Sequence, residues 1–218
     1  MKIVNPSHEI LYMPNGEEIL KRIEIAGRTC YKSENRINDD SAKEFVKRIL
    51  DSGHHSVIEH VNITVRFVCD RGVSHELVRH RLASYSQEST RYANYSIDKF
   101  GKEITVVQPL FWAENSEEYL EWLSAMQQAE KAYMRLIELG SKPEEARSVL
   151  PNSLKTEIVI TCNVREWRHI FNLRCSIAAH PQMREIMLPL LAEFHDMLPI
   201  VFDDIYERHL NNNDIKPH

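Results

Sequence analysis

Glycine is scarce, with six in 218 residues. No G-x-G-x-x-G turn appears, and strands and helices do not alternate regularly, which excludes the dinucleotide-binding βαβ fingerprint. A nucleotide cofactor would have to be held another way. Cysteine is also sparse. Cys30, Cys69, Cys162 and Cys175 lie far apart with no Cys-x-x-Cys pair, so neither a disulfide framework nor a cysteine zinc site is indicated. They read as reduced structural thiols. No apolar run approaches the roughly 20 residues of a membrane span, and Met1 to Glu9 lacks a signal-peptide core. A soluble, cytoplasmic protein without a membrane partner is expected. Positive charge is not in excess, since 27 Lys and Arg stand against 32 Asp and Glu. That balance argues against a general nucleic-acid partner, whose phosphates need clustered cations. An anionic ligand must instead be met by a local pocket.

What is present reads as one domain over residues 1–218, with no repeat, linker or low-complexity tract. Asn15 opens a helix with Ile19, Leu20, Ile23, Ala26 and Cys30 on one stripe. A second helix begins near Asp40 or Ser41, shows Ala42, Phe45, Val46, Ile49 and Leu50 inward, and stops at Ser52-Gly53. Val61 to Cys69 and Leu154 to Cys162 alternate apolar with polar residues as half-buried strands, and Ile104 to Gln108 forms another. A short helix is expected from about Ser74 to His80.

Asn115-Ser-Glu-Glu118 has capping-box spacing and starts the longest helix, with Tyr119, Leu120, Leu123, Met126, Tyr133, Leu136 and Ile137 inward and Gly140 as its stop. Ser141 to Glu144 and Asn163 to Glu166 repeat that spacing. His180-Pro181 begins a helical region expected to break at Pro189 and Pro199. The pattern is α+β with more helices than strands.

The most unusual stretch is Arg79-His80-Arg81, followed by seven residues, Ser89, and Arg91 two positions later. Arginine suits phosphate because its planar fork makes two charge-assisted hydrogen bonds, and hydroxyls and backbone N–H groups complete a cage. Taken alone, such charge is more often a solvated basic surface.

Three further segments accompany it: Gly53-His54-His55-Ser56-Val57-Ile58-Glu59-His60, Ala146-Arg147-Ser148-Val149-Leu150-Pro151, and Asn163-Val164-Arg165 leading to Asn172-Leu173-Arg174. Together with the Arg-His-Arg-x7-Ser pattern, in this order, they cover most of the chain. The sequence resembles the flavin-dependent thymidylate synthases.

That resemblance implies an α+β fold with a helix-flanked, mainly antiparallel sheet, assembled as a homotetramer with FAD and dUMP bound between subunits. It implies methylation of dUMP to dTMP, with methylenetetrahydrofolate as one-carbon donor and NADPH as reductant. Arg79, His80 and Arg81 match positions that approach FAD, and Arg79 also borders the substrate. Gln87, Glu88, Ser89, Thr90 and Arg91 match the dUMP loop, with Gln87 also toward FAD. Glu76, where some members carry Gln, and Arg147 match further dUMP positions. His54, Ser56, Asn163, Arg165 and His169 match positions lining FAD, and other members have Asn where His169 stands. Arg174 matches the arginine that contacts the uracil and favours its anion.

Residue geometry bears on Arg174 independently. At about 100° per residue, Val164, Trp167, Phe171 and Arg174 share one helical face, and Arg165, His169 and Asn172 another. An arginine on an apolar face needs an acceptor, an aromatic partner or a carboxylate there.

Two other readings are weaker. A metal-dependent phosphohydrolase centred on His54, His55, Glu59, His60 and His75 lacks a complete ligand motif, so no metal is expected. An RNA-binding module could use Arg79 to Tyr95, where arginines interleave with Tyr85, Tyr92 and Tyr95, but the net charge opposes it.

Overall fold

The structure, a computed structural model, describes residues 1–98 and 101–211. Its elements in chain order are β1 (Lys2–Val4), β2 (Ser7–Tyr12), α1 (Gly16–Tyr31), α2 (Ser41–Asp51), β3 (Asn62–Asp70), α3 (Arg71–Leu77), β4 (Ala83–Gln87), β5 (Thr105–Val107), α4 (Glu117–Glu138), α5 (Pro143–Ala146), β6 (Lys155–Asn163), α6 (Val164–Arg174), α7 (Pro181–Met197) and α8 (Pro199–Tyr206). Single 3-10 turns cover Glu34–Arg36, His55–His60 and Arg147–Val149. The main sheet has strand order β2-β3-β6-β4 and is antiparallel and helix-flanked, as expected. A second ladder pairs β1 with β5 in parallel, Lys2 opposite Thr105 and Val4 opposite Val107.

The residues cluster into two compact units. One comprises Met1–Ser7, Arg66–Arg79 and Tyr85–Val159; the other comprises His8–Val65, His80–Ser84 and Ile160–His218. In the first, α4 lays Tyr119, Trp122, Met126 and Tyr133 against Ile104, Val106, Ala146 and Leu154. Ser116 caps α4, its Oγ accepting from Tyr119 N at 3.2 Å. The cap is therefore Ser116, because Asn115 takes a left-handed backbone with φ 71°. Leu120 lies outward, against expectation, at 49% exposure, because the buried face runs through Tyr119, Trp122, Met126 and Tyr133. Gly140, at φ 94°, follows the helix in a conformation that an L-residue resists.

In the second unit, Asn15 caps α1 through Glu18 N at 2.9 Å. Gly27 lets α1 meet α2, for a Cβ there would fall 2.6 Å from the Phe45 ring. Cys30 is exposed rather than on the buried stripe. That stripe is completed by Glu24 and Arg28, whose charges are paired at 2.9 Å. Trp167, Phe171, Phe194 and Phe202 form the aromatic centre of α6, α7 and α8, with neighbouring ring centroids 5.2 to 5.8 Å apart.

Two boundaries differ from the sequence expectation. α3 begins three residues earlier than Ser74 because Asp70 caps it, its Oδ1 accepting from Val73 N at 2.8 Å. The helix ends at Leu77, so Arg79 and His80 lie beyond it. Pro189 does not break α7, since Ile186, Met187, Leu190 and Leu191 are buried around it and hold the helix; Pro199 does start a new one. Among the described residues no helix is long and apolar enough to cross a membrane.

Candidate active site

In the first unit the Glu88–Arg91 loop follows β4. Gln87 ends that strand, and its amide donates to Ser74 Oγ at 2.9 Å and Thr156 Oγ1 at 3.2 Å. Glu88 accepts from Lys155 Nζ at 3.0 Å, and its own N–H donates to Glu157 O at 2.8 Å. These two side chains therefore anchor the loop. Ser89 and Arg91 are exposed, Thr90 is buried, and Ser89 Oγ accepts from Arg91 N at 3.2 Å.

Arg91 Nε donates to the Glu144 carboxylate at 2.9 Å. That bond, with Lys142 and Arg147 adding their charge, holds the Glu144 carboxyl below its ordinary range. The structure thus brings Arg91, 53 positions earlier, to the short segment that carries Glu144 and Arg147. Glu76 is half-buried on α3, and Arg79 is exposed just after it.

In the second unit, Asn163 caps α6, its Oδ1 accepting from Glu166 N at 2.9 Å. Glu166 supplies only that half of the expected capping box. Its side chain, 7% exposed, turns instead to His80, with Oε1 at 3.5 Å from Nδ1. His80 is buried and lies edge-on to exposed His169, with ring centroids 5.5 Å apart. Arg174 Nε donates to His80 Nε2 at 3.0 Å. The acceptor that the half-buried arginine requires includes an imidazole, an arrangement outside the sequence reading.

Burial, then Arg174, then His169 lower the His80 pKa to about 4, so the ring is neutral at ordinary pH. Burial raises the Glu166 carboxyl, with His169 opposing. The ligand-capable atoms of His80, Glu166 and His169 lie within 4.8 Å of one another. The Arg174 guanidinium on His80 Nε2 repels a cation there, and the hydrogen-bonded reading of the cluster is the stronger one.

The remaining flavin-matched residues fall in this unit as well. Arg165 pairs with Glu59 at 2.5 Å, His54 Nδ1 bonds the Tyr31 hydroxyl at 2.9 Å, and Ser56 and Arg81 are exposed. Beside His54 a cleft of about 520 Å³ is lined by Tyr31, Arg28, Lys32, Arg36 and Arg48. Its size and donors suit a phosphate-bearing ligand. Tyr31, Glu144 and Glu166 were not found from sequence. Spacing marks Glu144 and Glu166 only as helix-start residues, and no local signal marks their long-range partners.

The pairs Arg91 with Glu144, Arg165 with Glu59 and Arg174 with His80 thus set guanidinium groups among the motif segments of an α+β scaffold. The family model described as thymidylate synthase complementing protein matches residues 10–200. A flavin-dependent thymidylate synthase from Pyrococcus abyssi is 37% identical over 170 residues, covering 76% of this chain and 69% of that protein. One from Geobacter sulfurreducens is 35% identical, covering 84% and 80%. In structure, the chain resembles the UMP/dUMP methylase PolB from Streptomyces cacaoi, solved with 5-Br dUMP, with a TM-score of 0.73 at 21% identity, covering 95% and 97%. The chain belongs to the flavin-dependent thymidylate synthase family.

Proposed function

We propose that the protein converts dUMP to dTMP, with methylenetetrahydrofolate as one-carbon donor and NADPH reducing a bound FAD, as a homotetramer in the cytoplasm. The observation that carries this reading is the ion pair of Arg91, on the loop that also carries the Ser89 hydroxyl of the matched motif, with Glu144, three residues before Arg147. The exposed guanidiniums of Arg91 and Arg147 are the donors that the dUMP phosphate would engage, in place of the Glu144 carboxylate at Arg91.

Arg91, Arg147, Ser89 and Thr90 bind that phosphate, and Glu76, Arg79, Gln87 and Glu88 shape the loop around the nucleotide. Arg174 stays protonated at any working pH, so it stabilises negative charge developing on the uracil and donates no proton. The cationic cleft and the neutral His80 fit an anionic, aromatic cofactor. His54, Ser56, Arg79, His80, Arg81, Gln87, Asn163, Arg165 and His169 would hold it. FAD, when bound, supplies the hydride that completes the methyl group.

The cysteines support a reaction without a thiolate. Cys69, Cys162 and Cys175 are buried, and burial raises all three thiols, Cys69 and Cys175 to about 12. The test is flavin absorbance near one FAD per subunit together with dUMP-dependent NADPH oxidation. Arg174→Ala should keep the flavin and lose turnover, and Arg174→Lys should rescue only part of it. A protein that takes up no flavin and ignores dUMP would overturn the proposal.

A further inference from the structure

Arginine has donors only, so the 3.0 Å contact between Arg174 Nε and His80 Nε2 requires a lone pair on Nε2. A neutral imidazole carries one N–H, which must then sit on Nδ1. Nδ1 lies 3.5 Å from Glu166 Oε1, at the long limit of a hydrogen bond. Glu166, 7% exposed in the first turn of α6, gives up water that a surface carboxyl would keep, and two imidazoles, those of His80 and His169, stand close to it.

We infer that Glu166 is a positioning residue: by accepting the Nδ1–H of His80 it fixes the tautomer whose Nε2 receives Arg174, and so orients the guanidinium. Glu166 and His169 lie one turn apart on α6 and Arg174 lies in its last turn, so a single helix carries both the residue that sets the ring and the one the ring holds. The effect on catalysis rests on the proposed function; the tautomer does not.

The experiment is a long-range ¹H–¹⁵N spectrum of histidine-labelled, flavin-loaded protein near neutral pH, joined to dUMP turnover. Wild type should show His80 with hydrogen on Nδ1 and a bare Nε2. Glu166→Gln retains a carbonyl acceptor and should preserve that tautomer and most of kcat. Glu166→Ala should mix the tautomers and lower kcat about ten- to hundred-fold, the scale of losing an outer positioning partner, with flavin content unchanged. A wild-type His80 bearing hydrogen on Nε2 overturns the inference on its own, even if the alanine variant fails to fold. So does an alanine variant that keeps both tautomer and kcat. Correct tautomers in a protein that ignores dUMP would instead sink the proposed function and leave the pairing standing.

Discussion

Replacing Trp167 by Phe tests whether α6 is a rigid platform for the residues it carries. Trp167 is fully buried, packs against Phe171 and Phe194, and donates from Nε1 to the Ile63 carbonyl of β3 at 3.1 Å. Phenylalanine keeps one ring in place but removes the donor and part of the volume. An orphaned buried carbonyl costs about 1–3 kcal/mol, and the residual void adds about 1 kcal/mol. The sum, about 2–4 kcal/mol, is a large share of a typical stability of about 5–15 kcal/mol. For a chain of this length it corresponds to a fall in melting temperature of about 5–15 °C. Thermal and urea unfolding of both proteins measure it, with FAD titration well below the transition as the companion assay. Flavin uptake should survive in the folded variant because the α6 backbone that carries Arg165 and His169 and its Asn163 cap are retained. A melting shift within about 1 °C would refute the anchoring role of Trp167.

His80 makes stability depend on pH with a definite sign. Its folded pKa, lowered to about 4, lies below the ordinary 6.5, so the folded state binds fewer protons. Stability from this group is complete above about pH 6.5 and is lost toward pH 4, by about 3 kcal/mol in all. Denaturation at several pH values should show that slope in wild type and lose it in His80→Gln. Thiol titration should find Cys30 alone reactive in the native protein and all four cysteines after denaturation, with Cys30→Ser keeping full turnover. Ser89→Ala and Arg91→Ala should weaken dUMP more than FAD, Arg91→Ala by about ten- to hundred-fold, as loss of a charged hydrogen bond implies. Equal weakening of both ligands in binding titrations would contradict that division.

Much of the fold was legible because its signals are local. β3 and β6 announce themselves by alternating β-branched residues, and Asn15 and Asn163 cap as their spacing suggests. β4 was missed because Ala-Ser-Tyr-Ser-Gln alternates without strongly apolar residues, and its outward serines resemble a loop. β2 was missed for a similar reason, with only Ser-His-Glu ahead of its apolar half. In the site, residue type revealed the arginines but not their partners. Glu144 meets Arg91 across 53 positions and Arg174 meets His80 across 94, pairings that no helical or strand period encodes. The metal alternative looked to histidines near His54, whereas the close approach of ligand-capable groups is at His80, Glu166 and His169.

The most direct test of the flavin assignment is a single turnover without nicotinamide. Protein loaded with FAD and reduced by light is mixed anaerobically with dUMP and methylenetetrahydrofolate, while flavin absorbance and dTMP are followed together. The account predicts one dTMP for each flavin reoxidised, and neither change when dUMP is omitted. dTMP formed without flavin reoxidation, or reoxidation without dTMP, would contradict it.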